Sequence, residues 1–194
     1  MSGPVSAADA ARLRDEASRL IRAGRHAECW ALLAPAIEGG SDDAVLWNLA
    51  GLARYHGGAP EAGLAMIERA VRLAPDNAGM LGNLGHALVG LDRIDDAIRA
   101  YRRAAELQPS DPNPWRSLAA ALRKAGREDE RRACLAAYAS ACPSDPWPQI
   151  RLGIVAEREN RLDEAAIHYT LAIERDRDST DAWNRLGVIR GRQD

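Results

Sequence analysis

The stretch LGNLGHALVGLDRIDDAIRAYRRAAELQP, Leu81 to Pro109, decides how the rest of the chain reads. Leu81, Leu84, Gly85, Leu88 and Leu91 recur three and four residues apart, and Ile94, Ala97, Ile98, Tyr101, Ala104, Ala105 and Leu107 repeat the pattern. This is the period of a helix with one buried face, seen twice. Small residues at Gly85, Ala97 and Ala104 allow two such helices to approach closely, while the larger ones fill the remaining space.

Outward from this segment the same pattern returns every 34 residues. Gly85 has counterparts at Gly51, Gly153 and Gly187, with Ala119 in the remaining place. Four residues earlier stand Trp47, Leu81, Trp115, Gln149 and Trp183; nineteen residues later stand Ala70, Ala104, Tyr138 and Ala172. Pro75, Pro109 and Pro143 follow in register, with Arg177 as the exception. Asp111-Pro112 and Asp145-Pro146 each put a capping acid before a proline suited to a first helical position. Ser6 with Asp9 reads as a capping box for the first helix. One helix hairpin cannot bury both its faces, so the period predicts stacked neighbours.

WNLAG at 47–51, the 81–109 segment and LGIVAERENRLDEAAIHYTLAIERD at 152–176 resemble tetratricopeptide repeats. The resemblance extends over nearly the whole chain. It implies an all-α, right-handed α-solenoid of antiparallel helix hairpins: a tail at 1–9, repeats at 10–43, 44–77, 78–111, 112–145 and 146–179, and a partial repeat or capping helix at 180–194. Two departures stand out. Arg131 and Tyr138 replace small residues in the fourth unit, which predicts less regular packing there. Pro35 falls inside the second helix of the first unit and is expected to kink or end it.

Composition narrows the function. The 194 residues are 46% hydrophobic and 28% charged, which suits a folded protein rather than a disordered one. Lys and Arg number 26 against 28 Asp and Glu, a formal charge of −2 that argues against a nucleic-acid or membrane-surface binder. With no secretory signal or apolar span in the sequence, a cytoplasmic, bacterial-looking protein is expected. Cys29, Cys134 and Cys142 make no C-x-x-C pair, and His26, His56, His86 and His168 take different places in the repeat, so neither metal nor cofactor is expected. Residues 176–187 lack the glycine and glutamate of a calcium loop. The acids at Asp95-Asp96, Glu128 to Glu130 and Asp163-Glu164 are read as helix-start charges. No catalytic constellation emerges, and the chain itself is not expected to be an enzyme.

The resemblance implies that the first helix of each repeat lines a concave face. Its inner places in the early half include Asn48, Leu52, Tyr55, Asn83 and His86. In the late half they include Asn113, Arg116, Arg123, Lys124, Trp147, Ile150, Arg151, Arg158, Asn184 and Arg185. The late half is thus mostly basic. The expected function is a scaffold that binds a protein or extended peptide with an anionic component. Arg116, Arg123, Arg151 and Arg158 would grip the anion and the asparagines would hold the peptide backbone. Two alternatives accompany it: the substrate-recognition region of a larger glycosyltransferase, sulfotransferase or hydroxylase, and a module that self-associates through its end helices, since the last helix carries an apolar stripe at Leu186 and Ile189. The carboxylate clamp known in the family is not reproduced, because Asn48 and Leu52 precede Asn83.

Overall fold

The computed structural model describes residues 7–193. Ser6, and with it the expected capping box and most of the expected tail, lies outside the described residues. Among them the chain is all-α, with no strand: α1 (Ala7–Arg22), α2 (His26–Glu38), α3 (Ala44–His56), α4 (Pro60–Leu73), α5 (Ala78–Gly90), α6 (Ile94–Leu107), α7 (Pro112–Lys124), α8 (Glu128–Ala141), α9 (Trp147–Arg158), α10 (Leu162–Arg175) and α11 (Thr180–Gln193). α1 takes in Ala7 to Asp9, which the sequence places in the tail. The helices form two compact units, one ending at Leu107 and the other beginning at Gln108. Within each unit, consecutive helices pack on one another.

Unit 1 is centred on Ala17, Cys29, Leu33, Leu46 and Ala50 of α1 to α3, with a further cluster of Ala78, Leu81 and Ala104 under α5 and α6. Unit 2 buries Ile150, Ala156, Ala165, Tyr169, Ala172, Leu186 and Ile189 between α9, α10 and α11. These are the positions that the helical period marks as the inward stripe.

Each hairpin closes in the same way. The middle residue of the turn is Gly24, Gly58, Asp92, Gly126 or Asn160, every one with positive φ and each 34 residues after the last. The following amide then donates back five residues: Arg25 to Leu20, Ala59 to Arg54, Arg93 to Leu88, Arg127 to Leu122 and Arg161 to Ala156. This satisfies carbonyls that the helix end leaves open. Glycine takes the left-handed conformation without steric cost, and Asp and Asn are the residues that best tolerate it otherwise. The second helix then opens without a side-chain cap at α2, α8 and α10. Instead an arginine just before it pairs with an acid three residues on: Arg25 with Glu28, Arg93 with Asp96, Arg127 with Glu130 and Arg161 with Glu164. The acid also faces the positive end of the helix dipole.

First helices are capped by acids or amides, again in register. Asp43 accepts from the amides of Val45 and Leu46, Asn77 from Met80 and Asp111 from Asn113. Asp145 accepts from Trp147, although Pro146 is the boundary residue of α9. Each such cap contributes about 1 kcal/mol.

The repeated glycines are spacing devices. A Cβ on Gly85 would lie 2.4 Å from the Tyr101 ring, and one on Gly153 would lie 2.5 Å from that of Tyr169. α3 and α4 come closer still: a Cβ on Gly63 would meet the Tyr55 amide nitrogen at 2.5 Å and the Gly51 carbonyl at 2.6 Å. Pro35 does not end its helix, which runs on to Glu38. The position costs one hydrogen bond, to Ala31, close enough to the helix end for the last turn to close with Gly39 donating to the Pro35 carbonyl.

Candidate functional site

The fourth repeat breaks the small-residue rule twice, and both breaks shape unit 2. At the place held by Gly63, Ala97 and Ala165, α8 carries Arg131, only 5% exposed, whose guanidinium pairs with Glu128 at 2.8 Å. Where the other second helices have alanine, Tyr138 is fully buried and lies between Trp115 and Trp147, with ring centroids 6.2 and 5.8 Å away. A long side chain in a place built for a methyl group holds helices apart, and α7 and α8 pack less closely than the hairpins on either side.

The space so opened is a cleft of about 330 Å³. α7 lines it with Ala119, Ala120 and Arg123, α8 with Arg131, and α9 with Trp147, Ile154, Arg151 and Arg158. Arg151 and Arg158 are seven residues apart, two helical turns on one face of α9. Trp147 stands apart from the repeat tryptophans: Trp47, Trp115 and Trp183 each donate from the indole to the carbonyl six residues back, a fixed hydrogen bond of the repeat. Trp147 instead offers its ring to cations, with Arg151 at 5.0 Å and Arg116 at 5.6 Å from the centroid.

The electrostatics are one-sided. Among the described residues Arg123, Arg151 and Arg158 form no ion pair with a carboxylate, and the Nε of Arg151 is buried without a hydrogen-bond partner. Burial disfavours the Arg151 charge; Asp181 opposes this, and Arg185, Arg131 and Arg123 add to it, so its pKa falls below the ordinary arginine value. The acids nearby are engaged elsewhere. Glu157 accepts from the Tyr169 hydroxyl at 2.9 Å and pairs with Arg185 and Arg192. Asp181 pairs with Arg185, and Glu159 with Arg132 and Arg161.

The remaining late-half residues divide by role. Arg116 is held by Asp145 at 2.8 Å and by the Tyr138 hydroxyl at 3.0 Å. The same geometry joins Arg14 to Asp43 in unit 1, so this arginine steadies the cap of the following first helix. Arg185 is tied to Asp181 and Glu157, Asn113 donates to Asp111, and Lys124 and Asn184 are exposed. In unit 1, Asn83 donates to Asn48 at 3.1 Å across α5 and α3, which leaves neither amide wholly open. Leu52 and Tyr55 are half-buried on α3, the Tyr55 hydroxyl sits against Gly90 where a Cβ would fall, and His86 Nδ1 is 3.1 Å from the Tyr101 hydroxyl.

Of the arginines singled out in the sequence, Arg123, Arg151 and Arg158 line one cleft, and Arg131, which was not among the candidate site residues, lines it with them. The signal for Arg131 was its departure from the small-residue rule. Among the described residues no three His, Cys, Asp or Glu side chains come together as a metal group, and no helix is long and apolar enough to cross a membrane. Cys29, Cys134 and Cys142 are buried thiols. On α11, Trp183 and Val188 are about half exposed, and nothing lies within 4 Å of where a Cβ on Gly187 would be.

Comparison with known proteins places this architecture. A family model described as tetratricopeptide repeat matches residues 56–122, and a second model of the same repeat matches 112–155. No curated protein sequence gives a significant match. Among solved structures, the chain is similar to YrrB, described as a tetratricopeptide-repeat protein with an unusual peptide-binding site, at 22% identity over 89% of each chain with a TM-score of 0.67. It is also similar to MamA, at 18% identity over 83% of this chain and 94% of that one with a TM-score of 0.70. MamA of AMB-1 is 26% identical over 86% and 99%, with a TM-score of 0.67. These likenesses show the α-solenoid fold.

Proposed function

The chain belongs to the tetratricopeptide-repeat family, and on that premise we propose that it is a protein-interaction scaffold that holds an acidic segment of its partner in the unit 2 cleft, without chemistry of its own. One observation carries this reading: three arginines line one cleft, and no carboxylate of the described chain pairs with any of them. Guanidinium groups left unpaired around a cleft favour an incoming acid, which each can grip through two parallel hydrogen bonds. Trp147, Ile154, Ala119 and Ala120 supply an apolar lining beside the charges, the mixture expected of a peptide site. That the similar protein YrrB is described as having a peptide-binding site lends support.

Arg116 and Arg185 have structural partners, so the gripping residues in this reading are Arg123, Arg151 and Arg158. The test is calorimetric titration of the full chain with peptide pools of degenerate sequence around a fixed pair of glutamates, lysines or serines. The glutamate pool should bind, and Arg123→Glu with Arg158→Glu should abolish that binding while the circular dichroism spectrum stays unchanged. Equal binding of the lysine pool, or binding unaffected by the double charge reversal, would overturn the assignment.

A further inference from the structure

The cleft presents more positive charge than a single carboxylate can balance, and we propose that its ligand is a phosphoryl group, so that unit 2 recognises a phosphorylated serine or threonine on its protein partner. This rests on the reading that the cleft is where the partner docks, and it names the chemistry of what enters.

The argument starts from charge. Arg123, Arg151 and Arg158 line a space of about 330 Å³ with no carboxylate paired to any of them, and Arg131, nine-tenths buried at the same cleft, is offset by Glu128. A peptide carboxylate brings one charge and two oxygens. A phosphoserine brings about −1.5 to −2 charges at neutral pH and three acceptor oxygens arranged tetrahedrally, able to take donors from several directions at once. Here the donors do come from several directions, Arg123 from α7 and Arg151 and Arg158 from positions two turns apart on α9.

The protein's own carboxylates reinforce this. Glu157 immediately precedes Arg158 in the chain, yet it is occupied by Tyr169, Arg185 and Arg192 on the α10 and α11 side. Asp145, two residues before Trp147, is held by Tyr138 and Arg116. Glu159, which directly follows Arg158, pairs with Arg132 and Arg161, so each of these three acids is fixed to other partners. The apolar lining from Trp147 and Ile154 suits the short carbon stem that carries a phosphoryl group on serine or threonine. A nucleic-acid backbone fits less well, because the positive charge is confined to one cleft of a chain whose formal net charge is −2.

The experiment compares three peptide pools with degenerate flanks and a single fixed phosphoserine, glutamate or serine at the centre, each titrated into the full chain by calorimetry. The phosphoserine pool should bind about tenfold or more tightly than the glutamate pool, and the serine pool should not bind measurably. The Arg123→Gln, Arg158→Gln double variant, which alters two exposed side chains without ion pairs, should lose that preference while its thermal unfolding is unchanged. Equal affinity for the glutamate and phosphoserine pools would overturn the phosphoryl assignment and leave the acidic-partner reading in place. Silence from both pools would overturn the two together. Binding of a single-stranded oligonucleotide in preference to the phosphoserine pool would replace this proposal with a nucleic-acid site.

Discussion

Adding one methyl group at two glycines of the same unit should move stability in opposite directions. Gly82 lies inside α5 with nothing within 4 Å of its missing Cβ. Gly82→Ala therefore brings only the helix-propensity gain of alanine over glycine, about 1 kcal/mol. Gly63 lies in α4, where the same methyl would press on three backbone atoms of α3: the Tyr55 nitrogen at 2.5 Å, the Gly51 oxygen at 2.6 Å and the Tyr55 Cα at 2.7 Å. Backbone cannot rotate away as a side chain tip can, so α3 and α4 must separate. Overpacking of this kind costs about 1–3 kcal/mol, and the backbone contacts at Gly63 are close enough to put it in the upper part of that range, where it outweighs the propensity gain. Both variants share the propensity gain, so they should differ by the overpacking cost alone, about 1–3 kcal/mol. Both sites fall in unit 1, so urea unfolding followed by far-ultraviolet circular dichroism reads them on one transition: Gly82→Ala should raise the midpoint and Gly63→Ala should lower it. If Gly63→Ala raised the midpoint as far as Gly82→Ala, close approach of α3 and α4 could not be what requires glycine there.

Two further outcomes follow from buried groups. Burial works against the charge of Asp145, but hydrogen bonds from Tyr138, the Trp147 amide and Arg116, with the Arg116 charge, hold its carboxyl below the ordinary value near 3.8. A carboxylate with a depressed folded pKa adds stability that is present above its unfolded pKa and lost as pH falls through the folded one. Asp145→Asn should accordingly lower stability at neutral pH and flatten its decline below about pH 4, read as unfolding midpoint against pH; an unchanged acid slope would remove Asp145 from the account. Burial also raises the Cys29 thiol to about 11, and Cys134 and Cys142 are buried as well, so all three thiols should react with an aromatic disulfide reagent only as the protein unfolds. Rapid native labelling of even one would contradict its placement.

The fold was legible because the constraints on it are local and repeated. Gly85, Ala97 and Ala104 announce close helices, and Asp111 and Asp145 announce starts, each within a few residues of what it controls. The turn residues were equally readable in principle: Gly24, Gly58 and Gly126 share a register with Asp92 and Asn160, types that also accept positive φ. The site was legible only in part, since the inner positions follow from the repeat but the partner of each side chain does not. Arg116 and Arg151 both fall at inner places of their repeats and look alike in sequence. One pairs with Asp145, 29 residues further on, and the other forms no ion pair among the described residues. Nor does sequence show that Arg131 would enter the cleft: its register said only that a large side chain occupied a small place, and whether that chain bends outward, is squeezed or opens a space depends on three helices at once.

The joint between Gly85 and Tyr101 recurs between Gly153 and Tyr169, the aromatic sixteen residues after the glycine in both cases. The hairpins α5–α6 and α9–α10 are therefore joined by the same hinge pin, whereas α3–α4 is joined backbone to backbone through Gly51 and Gly63. A chain assembled this way is not uniformly modular. The α5–α6 and α9–α10 hairpins can trade places without recutting either joint, while α3–α4 is fitted to its own position, and recombination between repeats would conserve the fold at some boundaries and break it at others.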